Sequence, residues 1–320
     1  MSQFGTAIGV IGMDYSELLI GVLQCVKEAG KAILEVYHRD FEVVLKDDCS
    51  PLTKADKRSH EIIERSLIDS RMRVGNETLP ILSEEGRDIS YEERSRWHFF
   101  WLVDPLDGTK EFVKKNGEFT VNVALVENNK PVLGVIYAPT KDIAYFAAKG
   151  FGAYEVEGSV IDHIRINARI GREAHNSGVT AGVSAERTMM QHVLSRSRDL
   201  AFSESKIDKG KDEITVIGSR SHATSEVEDY INKIKEKYDT VNVISAGSAL
   251  KFCLVAEGKA DIYPRFGPTM EWDTAAGQII VEESGGTVVE VESGVPMHYN
   301  KVNLKNPWFL VARDLRIACP

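Results

Sequence analysis

Three short stretches of this 320-residue sequence carry carboxylates at the ends of regular elements: Leu82-Ser-Glu84-Glu85-Gly86, Asp104-Pro-Leu-Asp107-Gly-Thr109 and Glu271-Trp-Asp273-Thr-Ala-Ala-Gly277. Their side-chain ligands are all oxygens, and no histidine pair accompanies them, a set that suits Mg²⁺ rather than zinc or copper. In the middle stretch an apolar run, Trp101-Leu-Val103, leads straight into Asp104 and Asp107. Two like charges so close repel unless a cation holds them. Pro105 and Gly108 bend the chain so that both aspartates can point to one side, where the Leu106 carbonyl can join them. Each stretch also has a purely structural reading. Glu84 and Glu85 can be solvated loop charges, Asp107-Gly108 a turn, and Asp273 the N-cap of a helix starting at Thr274. Those readings explain each stretch singly better than they explain the three together.

Other chemistries lack their motifs. Lys110 follows Gly108-Thr109, but no G-x-x-x-x-G-K-[ST] phosphate loop surrounds it. No G-x-S-x-G elbow occurs, and His60-Glu61 has no second histidine of an H-E-x-x-H helix, so neither a serine hydrolase nor a zinc peptidase is supported.

The elements that must position these carboxylates follow from periodicity. Apolar residues at helical spacing from Ser16 to about His38 predict a long amphipathic helix, and a second is expected from Lys54 to Asp69 with Asp56 in its first turn. Strand patterns follow at His98–Val103, Phe119–Val126, Val132–Tyr137, Ile143–Ala147 and Gly152–Val156. The turn-forming Glu127-Asn-Asn-Lys-Pro131 makes them an antiparallel meander. The polar, patternless Arg169–Lys211 reads as long surface loops with one short helix. Beyond it, strands at Ile214–Gly218, Val241–Ile244, Ala260–Tyr263, Thr287–Val291 and Trp308–Ala312 alternate with helices at Ser225–Lys237, Ser248–Glu257 and Thr274–Glu283, the signature of an α/β lobe. Two packed lobes are expected, 1–160 with the antiparallel sheet and most of the carboxylates, and 161–320 with the α/β portion and Asp273.

Composition excludes several function classes. With 48 acidic against 39 basic side chains the formal charge is -9, which disfavours sequence-independent nucleic-acid binding, though a small anion can still find a local basic pocket. The four cysteines (Cys25, Cys49, Cys253, Cys319) form no C-x-x-C pair and read as reduced thiols of a cytoplasmic protein. The first residues carry no Lys or Arg ahead of their apolar stretch, unlike a signal peptide, and no apolar run approaches the ~20 residues of a membrane span.

At this point the motifs carry a resemblance. Trp101-Leu-Val-Asp-Pro-Leu-Asp-Gly-Thr109, the upstream Ser-Glu-Glu85 and the downstream Trp272-Asp-Thr-Ala-Ala-Gly277 are similar to the lithium-sensitive, magnesium-dependent phosphatases of the inositol monophosphatase superfamily. Pro51-Leu-Thr-Lys-Ala-Asp56, Asp104 to Phe112, Asn116-Gly-Glu-Phe-Thr-Val-Asn122 and Gly247-Ser-Ala-Leu-Lys251 resemble, within it, the 3'(2'),5'-bisphosphate nucleotidases of the bacterial CysQ type. The likeness runs in order from about residue 16 to the end; 165–212 looks like an insertion.

The resemblance implies a layered αβαβα sandwich of the sugar-phosphatase type, and removal of the 3'-phosphate from adenosine 3',5'-bisphosphate and from its 5'-phosphosulfate relative. It implies two or three Mg²⁺ ions. Glu84, Asp104 and the Leu106 carbonyl would hold the first, Asp104, Asp107 and Asp273 the second, and Asp56 a third through water. Thr109, with Glu84 or Asp56, would orient the attacking water. Gly247, Ser248, Lys251, Arg265, Asp273 and His222 would contact the nucleotide, with Lys251 and Arg265 clamping the 5'-phosphate. A phosphatase of inositol phosphates with the same metal site is the alternative, because the ligands fix the chemistry and not the alcohol. A catalytically silent binding protein is a further rival, which the full set Asp56, Glu84, Asp104, Asp107, Thr109 and Asp273 argues against.

Overall fold

The structure, a computed structural model, describes residues 15–38, 43–45, 51–69, 72–74, 77–163, 184–202, 213–219 and 224–318. Fourteen strands and nine helices are identified among these residues. The helices are α1 (Tyr15–Tyr37), α2 (Lys54–Leu67), α3 (Tyr91–Arg94), α4 (Thr109–Val113), α5 (Ser184–Ser195), α6 (Ser225–Lys235), α7 (Leu250–Ala256), α8 (Ala275–Glu283) and α9 (Leu315–Ala318). A short pair, β1 (Val43–Leu45) and β2 (Pro51–Thr53), precedes two larger sheets.

The first sheet has seven strands in the order β3 (Ile81–Ser83), β4 (Phe99–Asp107), β5 (Thr120–Glu127), β6 (Lys130–Ala138), β7 (Ile143–Ala148), β8 (Gly152–Glu157) and β9 (Arg198–Asp199). From β4 to β8 it is the expected antiparallel meander. Asn128 and Asn129 make the β5–β6 turn with φ of 48° and 64°, a left-handed pair that asparagine tolerates. The strand β9 was not expected; it comes from the polar stretch after residue 165 and extends the sheet by pairing with β8.

The second sheet runs β11 (Thr240–Ala246), β10 (Glu213–Ser219), β12 (Ile262–Arg265), β14 (Phe309–Ala312) and β13 (Thr287–Glu290). Parallel pairing joins β10 to β11 and β12, and antiparallel pairing joins β14 to β12 and β13.

Alternation along the strands sorts the buried side chains into three cores. On β4 and β5, Trp101, Val103, Val121 and Val123 pack with Leu19, Val22, Val26 and Ile33 of α1. Phe100, Leu102, Ala124 and Val126 point the other way, into a middle core with Phe252 of α7, Ile279 of α8, and Tyr263 and Val311 of the second sheet. Ile262, Leu310 and Val289 on that sheet's outer face meet Val227, Tyr230 and Ile234 of α6. The layers are therefore helix, sheet, helix, sheet, helix, as the αβαβα expectation requires. Gly134 allows the close approach of α8, since a Cβ there would fall 2.5 Å from Ile279 Cγ2 and 2.7 Å from the Ala276 carbonyl oxygen. Among the described residues, no helix is long and apolar enough to cross a membrane.

Candidate active site

An irregularity in one strand pairing builds the centre of the site. Asp104 on β4 faces Asn122 on β5, and Asp107 faces Thr120, so three steps on β4 span two on β5. In a regular strand, positions three apart point to opposite faces. The extra residue of this bulge restores both aspartates to the face shared by Asn122 and Thr120. Leu106 turns the opposite way, its side chain 2% exposed in the first core. The shared face is that of Phe100 and Leu102, so Asp104 and Asp107 meet the middle layer, where α7 and α8 lie.

Neighbouring elements supply the rest. Strand β3 runs parallel to β4 with Ser83 beside Val103, and Glu84 N–H donates to the Val103 carbonyl at 3.1 Å, which sets Glu84 next to Asp104. Helix α2 carries Asp56, 2% exposed, and is tied to the bulge by Ser59 Oγ donating to the Pro105 carbonyl at 2.7 Å. Gly108, with φ of 90°, turns the chain into α4, which Thr109 opens, its hydroxyl 3.5 Å from the Leu106 carbonyl.

Asp273 does not cap α8. It ends a single 3-10 turn, Glu271–Asp273, and its Oδ2 accepts the Met270 N–H at 2.8 Å; Thr274 is the N-cap residue of α8. The helix-cap reading of Asp273 is thus corrected: its carboxylate closes the turn before the helix. The reason is the tight turn, which points the side chain backward along the chain.

Glu84, Asp104, Leu106, Asp107, Thr109, Gly247, Ser248, Lys251, Arg265 and Asp273 all line one cavity of about 380 Å³. Asp56 lies outside that lining but close enough to act electrostatically on Asp104. His222 falls outside the described residues.

The cavity brings carboxylates and buried bases within electrostatic reach of one another. Burial first, then the charges of Glu84, Asp107, Asp273 and Asp56, hold the Asp104 carboxyl well above the usual carboxylate range. Burial pushes Asp107 up to about 6, although the Lys251 ammonium and an Asn122 hydrogen bond oppose the rise. Asp273 is raised too, by burial and then by Asp107 and Glu84. Lys251, 6% exposed, is drawn down to about 8 by burial, against the pull of Asp107. Its ammonium donates to the Ser248 carbonyl and stands 5.4 Å from the Tyr263 ring centre. Arg265, 9% exposed, donates from Nη2 to the Pro268 carbonyl at 2.8 Å. Arg265 Nε and Ser248 Oγ are buried with no hydrogen-bond partner among the described residues, which marks this wall as polar surface awaiting a ligand.

The donor set fits a hard divalent cation: buried carboxylates held up by one another are what such a charge relieves. Among the described residues no three carboxylate, imidazole or thiolate groups stand together as a ready-made metal site. Mg²⁺ usually keeps several waters and needs only one or two carboxylates from the protein.

Three contributors had no role in the sequence reading. Asn122 Nδ2 donates to Asp107 Oδ2 at 3.3 Å, and Glu118 Oε2 accepts the Gly247 N–H at 2.8 Å. Lys305 also lines the cavity. Glu118 and Asn122 both lie in the Asn116–Asn122 stretch that carried the resemblance, a signal that Lys305 lacked.

Comparison with known proteins agrees with this architecture. The family model for the inositol monophosphatase family matches residues 14–318. The 3'(2'),5'-bisphosphate nucleotidase CysQ of Escherichia coli K12 is 39% identical over 298 residues, covering 92% of this chain and 99% of the relative. The Haemophilus influenzae enzyme of the same name is 30% identical, with 93% of each chain covered. Among solved structures, CysQ from Bacteroides thetaiotaomicron, a bacterial member of the inositol monophosphatase family, superposes with a TM-score of 0.73 at 42% identity, covering 93% of this chain and 98% of that one.

Proposed function

The chain belongs to the inositol monophosphatase family, and from that premise we propose how its residues carry out the reaction. Its activity is that of a 3'(2'),5'-bisphosphate nucleotidase, a phosphoric monoester hydrolase. The substrate assigned is adenosine 3',5'-bisphosphate, with 3'-phosphoadenosine 5'-phosphosulfate as a second. Hydrolysis adds a water oxygen to phosphorus, breaks the bond to the 3' oxygen and releases AMP and phosphate.

Mg²⁺ in this family's chemistry activates water and neutralises the charge that spreads over the phosphoryl group. Glu84, Asp104 and the Leu106 carbonyl would hold one ion, Asp104, Asp107 and Asp273 a second, and Asp56 would help to place a third through water. Thr109, with Glu84 or Asp56, orients the attacking water, and the carboxylate of that pair takes up the proton the water gives up. Asn122 holds Asp107 in place by its 3.3 Å hydrogen bond. Lys251 and Arg265 grip the 5'-phosphate, with Gly247 and Ser248 beside the nucleoside.

The observation that carries this reading is the placement of the bulged Asp104–Asp107 pair and the buried Lys251 and Arg265 in one cavity. Carboxylates suited to a cation and two buried bases suited to an anion, in one cavity, support a small phosphorylated ligand. Phosphate release from adenosine 3',5'-bisphosphate, inositol 1-phosphate and inositol 1,4-bisphosphate, each with Mg²⁺ and with a chelator, tests it. Fastest turnover is expected on the nucleotide, none in chelator, and inhibition by millimolar-scale Li⁺. Preference for an inositol phosphate would transfer the assignment to the alternative alcohol, and full activity in chelator would remove the metal mechanism.

A further inference from the structure

We infer that Lys305 is a specificity-determining residue, an outer third cation for the 5'-anion of the bisphosphate substrate; this rests on the nucleotidase reading above. Lys305 lines the same cavity as Lys251 and Arg265, but it is exposed where they are buried. The segment that follows Arg265 pairs with the one that carries Lys305. Arg265 Nη2 holds the Pro268 carbonyl at 2.8 Å, and two residues on, Met270 pairs with Lys305 in an antiparallel bridge.

That bridge is held firmly on both sides. The Glu271 N–H donates to the Leu304 carbonyl at 3.0 Å, the Asn306 N–H to the Thr269 carbonyl at 2.9 Å, and Asn306 Nδ2 to the Met270 carbonyl at 2.7 Å. The backbone at Lys305 is therefore fixed against the segment that Arg265 supports, while its side chain is exposed to solvent and lines the cavity. Lys301, in the same loop, is committed to the buried Glu271 at 2.7 Å. No such ion pair engages Lys305 among the described residues.

The chemistry of the ligand gives this position its use. A chain of net charge -9 repels a bisphosphate nucleotide at long range, so a basic mouth must offset the repulsion locally. An anion seated on buried Arg265 and Lys251 still has solvent-facing oxygens, and a hydrated ammonium on a flexible stem can neutralise them whether the group is a phosphate or a phosphosulfate. Such an exposed contact is worth less than the buried pair and is screened by salt.

Steady-state kinetics of Lys305→Met and Lys305→Glu at fixed Mg²⁺, over a series of NaCl concentrations, test this on adenosine 3',5'-bisphosphate and adenosine 3'-monophosphate. For Lys305→Met the KM on the bisphosphate is expected to rise about two- to fivefold with kcat little changed, and its dependence on salt to flatten. Lys305→Glu should raise KM further, and both losses should exceed those on the monophosphate. A Lys305→Met enzyme with wild-type KM and salt dependence, or with equal losses on both substrates, overturns the inference. The wild type alone tests the parent reading: if it shows no preference for the bisphosphate over the monophosphate, the 5'-anion site itself is refuted and this role with it.

Discussion

The carboxylate of Glu118 accepts the backbone N–H of Gly247 at 2.8 Å, joining the segment before β5 to the turn that leads into α7 and Lys251. The contact leaves no room for a side chain, because a Cβ on Gly247 would lie 2.7 Å from both the Glu118 carbonyl oxygen and Glu111 Cγ. Gly247→Ala must push the turn away from this support. Overpacking of that kind costs about 1–3 kcal/mol, and displacement of Lys251 should raise KM for the bisphosphate as well. Denaturant unfolding and kinetics on the same variant check both; unchanged values in each would show that the turn relaxes freely.

Asp273→Asn separates charge from hydrogen bonding. The amide oxygen still accepts the Met270 N–H now held at 2.8 Å, so the turn before α8 should persist. What is lost is one negative charge from the carboxylate set. A folded protein with near wild-type melting temperature and almost no activity is expected. A large fall in melting temperature with activity per folded molecule retained would instead assign Asp273 to the fold.

Arg265→Ala and Lys251→Ala test the distal clamp. Charge-assisted hydrogen bonds to a partly buried phosphate contribute roughly 1.5 to 3 kcal/mol each, or about one to two decades in kcat/KM. Both variants should therefore lose far more on adenosine 3',5'-bisphosphate than on adenosine 3'-monophosphate. Their effects need not add, since both would act on one ligand group. Equal losses on the two substrates would place these bases with the reacting phosphate or the fold.

Glu257, just after α7, predicts a pH effect on stability. Burial acts to raise its carboxyl, but Lys259, the Tyr145 hydroxyl and Arg198 outweigh that and hold it below the usual range. Tyr145 comes from β7 and Arg198 from β9, so the group fastens the middle helices to the first sheet. A depressed folded value gives stability that is complete above the unfolded carboxyl value of about 4.3 and is lost as pH falls through the folded one. Unfolding free energy of the wild type should thus drop more steeply below about pH 4.3 than that of Glu257→Gln. Parallel curves would show that the carboxylate is not linked to folding.

Much of this molecule was determined by its sequence alone. The 3.6-residue apolar repeat of α1 and the two-residue alternation of β4–β8 reflect which face each element must bury, a local property of the chain. The same holds for the carboxylate stretches and the Gly247-Ser-Ala-Leu-Lys251 turn, because their residue types limit the chemistry before any folding. What tertiary structure decided is the geometry. Asp104 and Asp107, three apart, share a face only because the β4–β5 register carries an extra residue, and register is settled by the partner strand. Lys251 and Arg265 look like ordinary surface bases until packing buries them, leaving them 6% and 9% exposed. Asp273 resembled a helix cap because its spacing fits one, yet the 3-10 turn points its carboxylate back at Met270. Strand β9 and Lys305 gave no local signal at all, since each acts through contact with a segment distant in sequence. Such contacts depend on how separately stable elements pack, and no periodicity within either segment encodes the other's position.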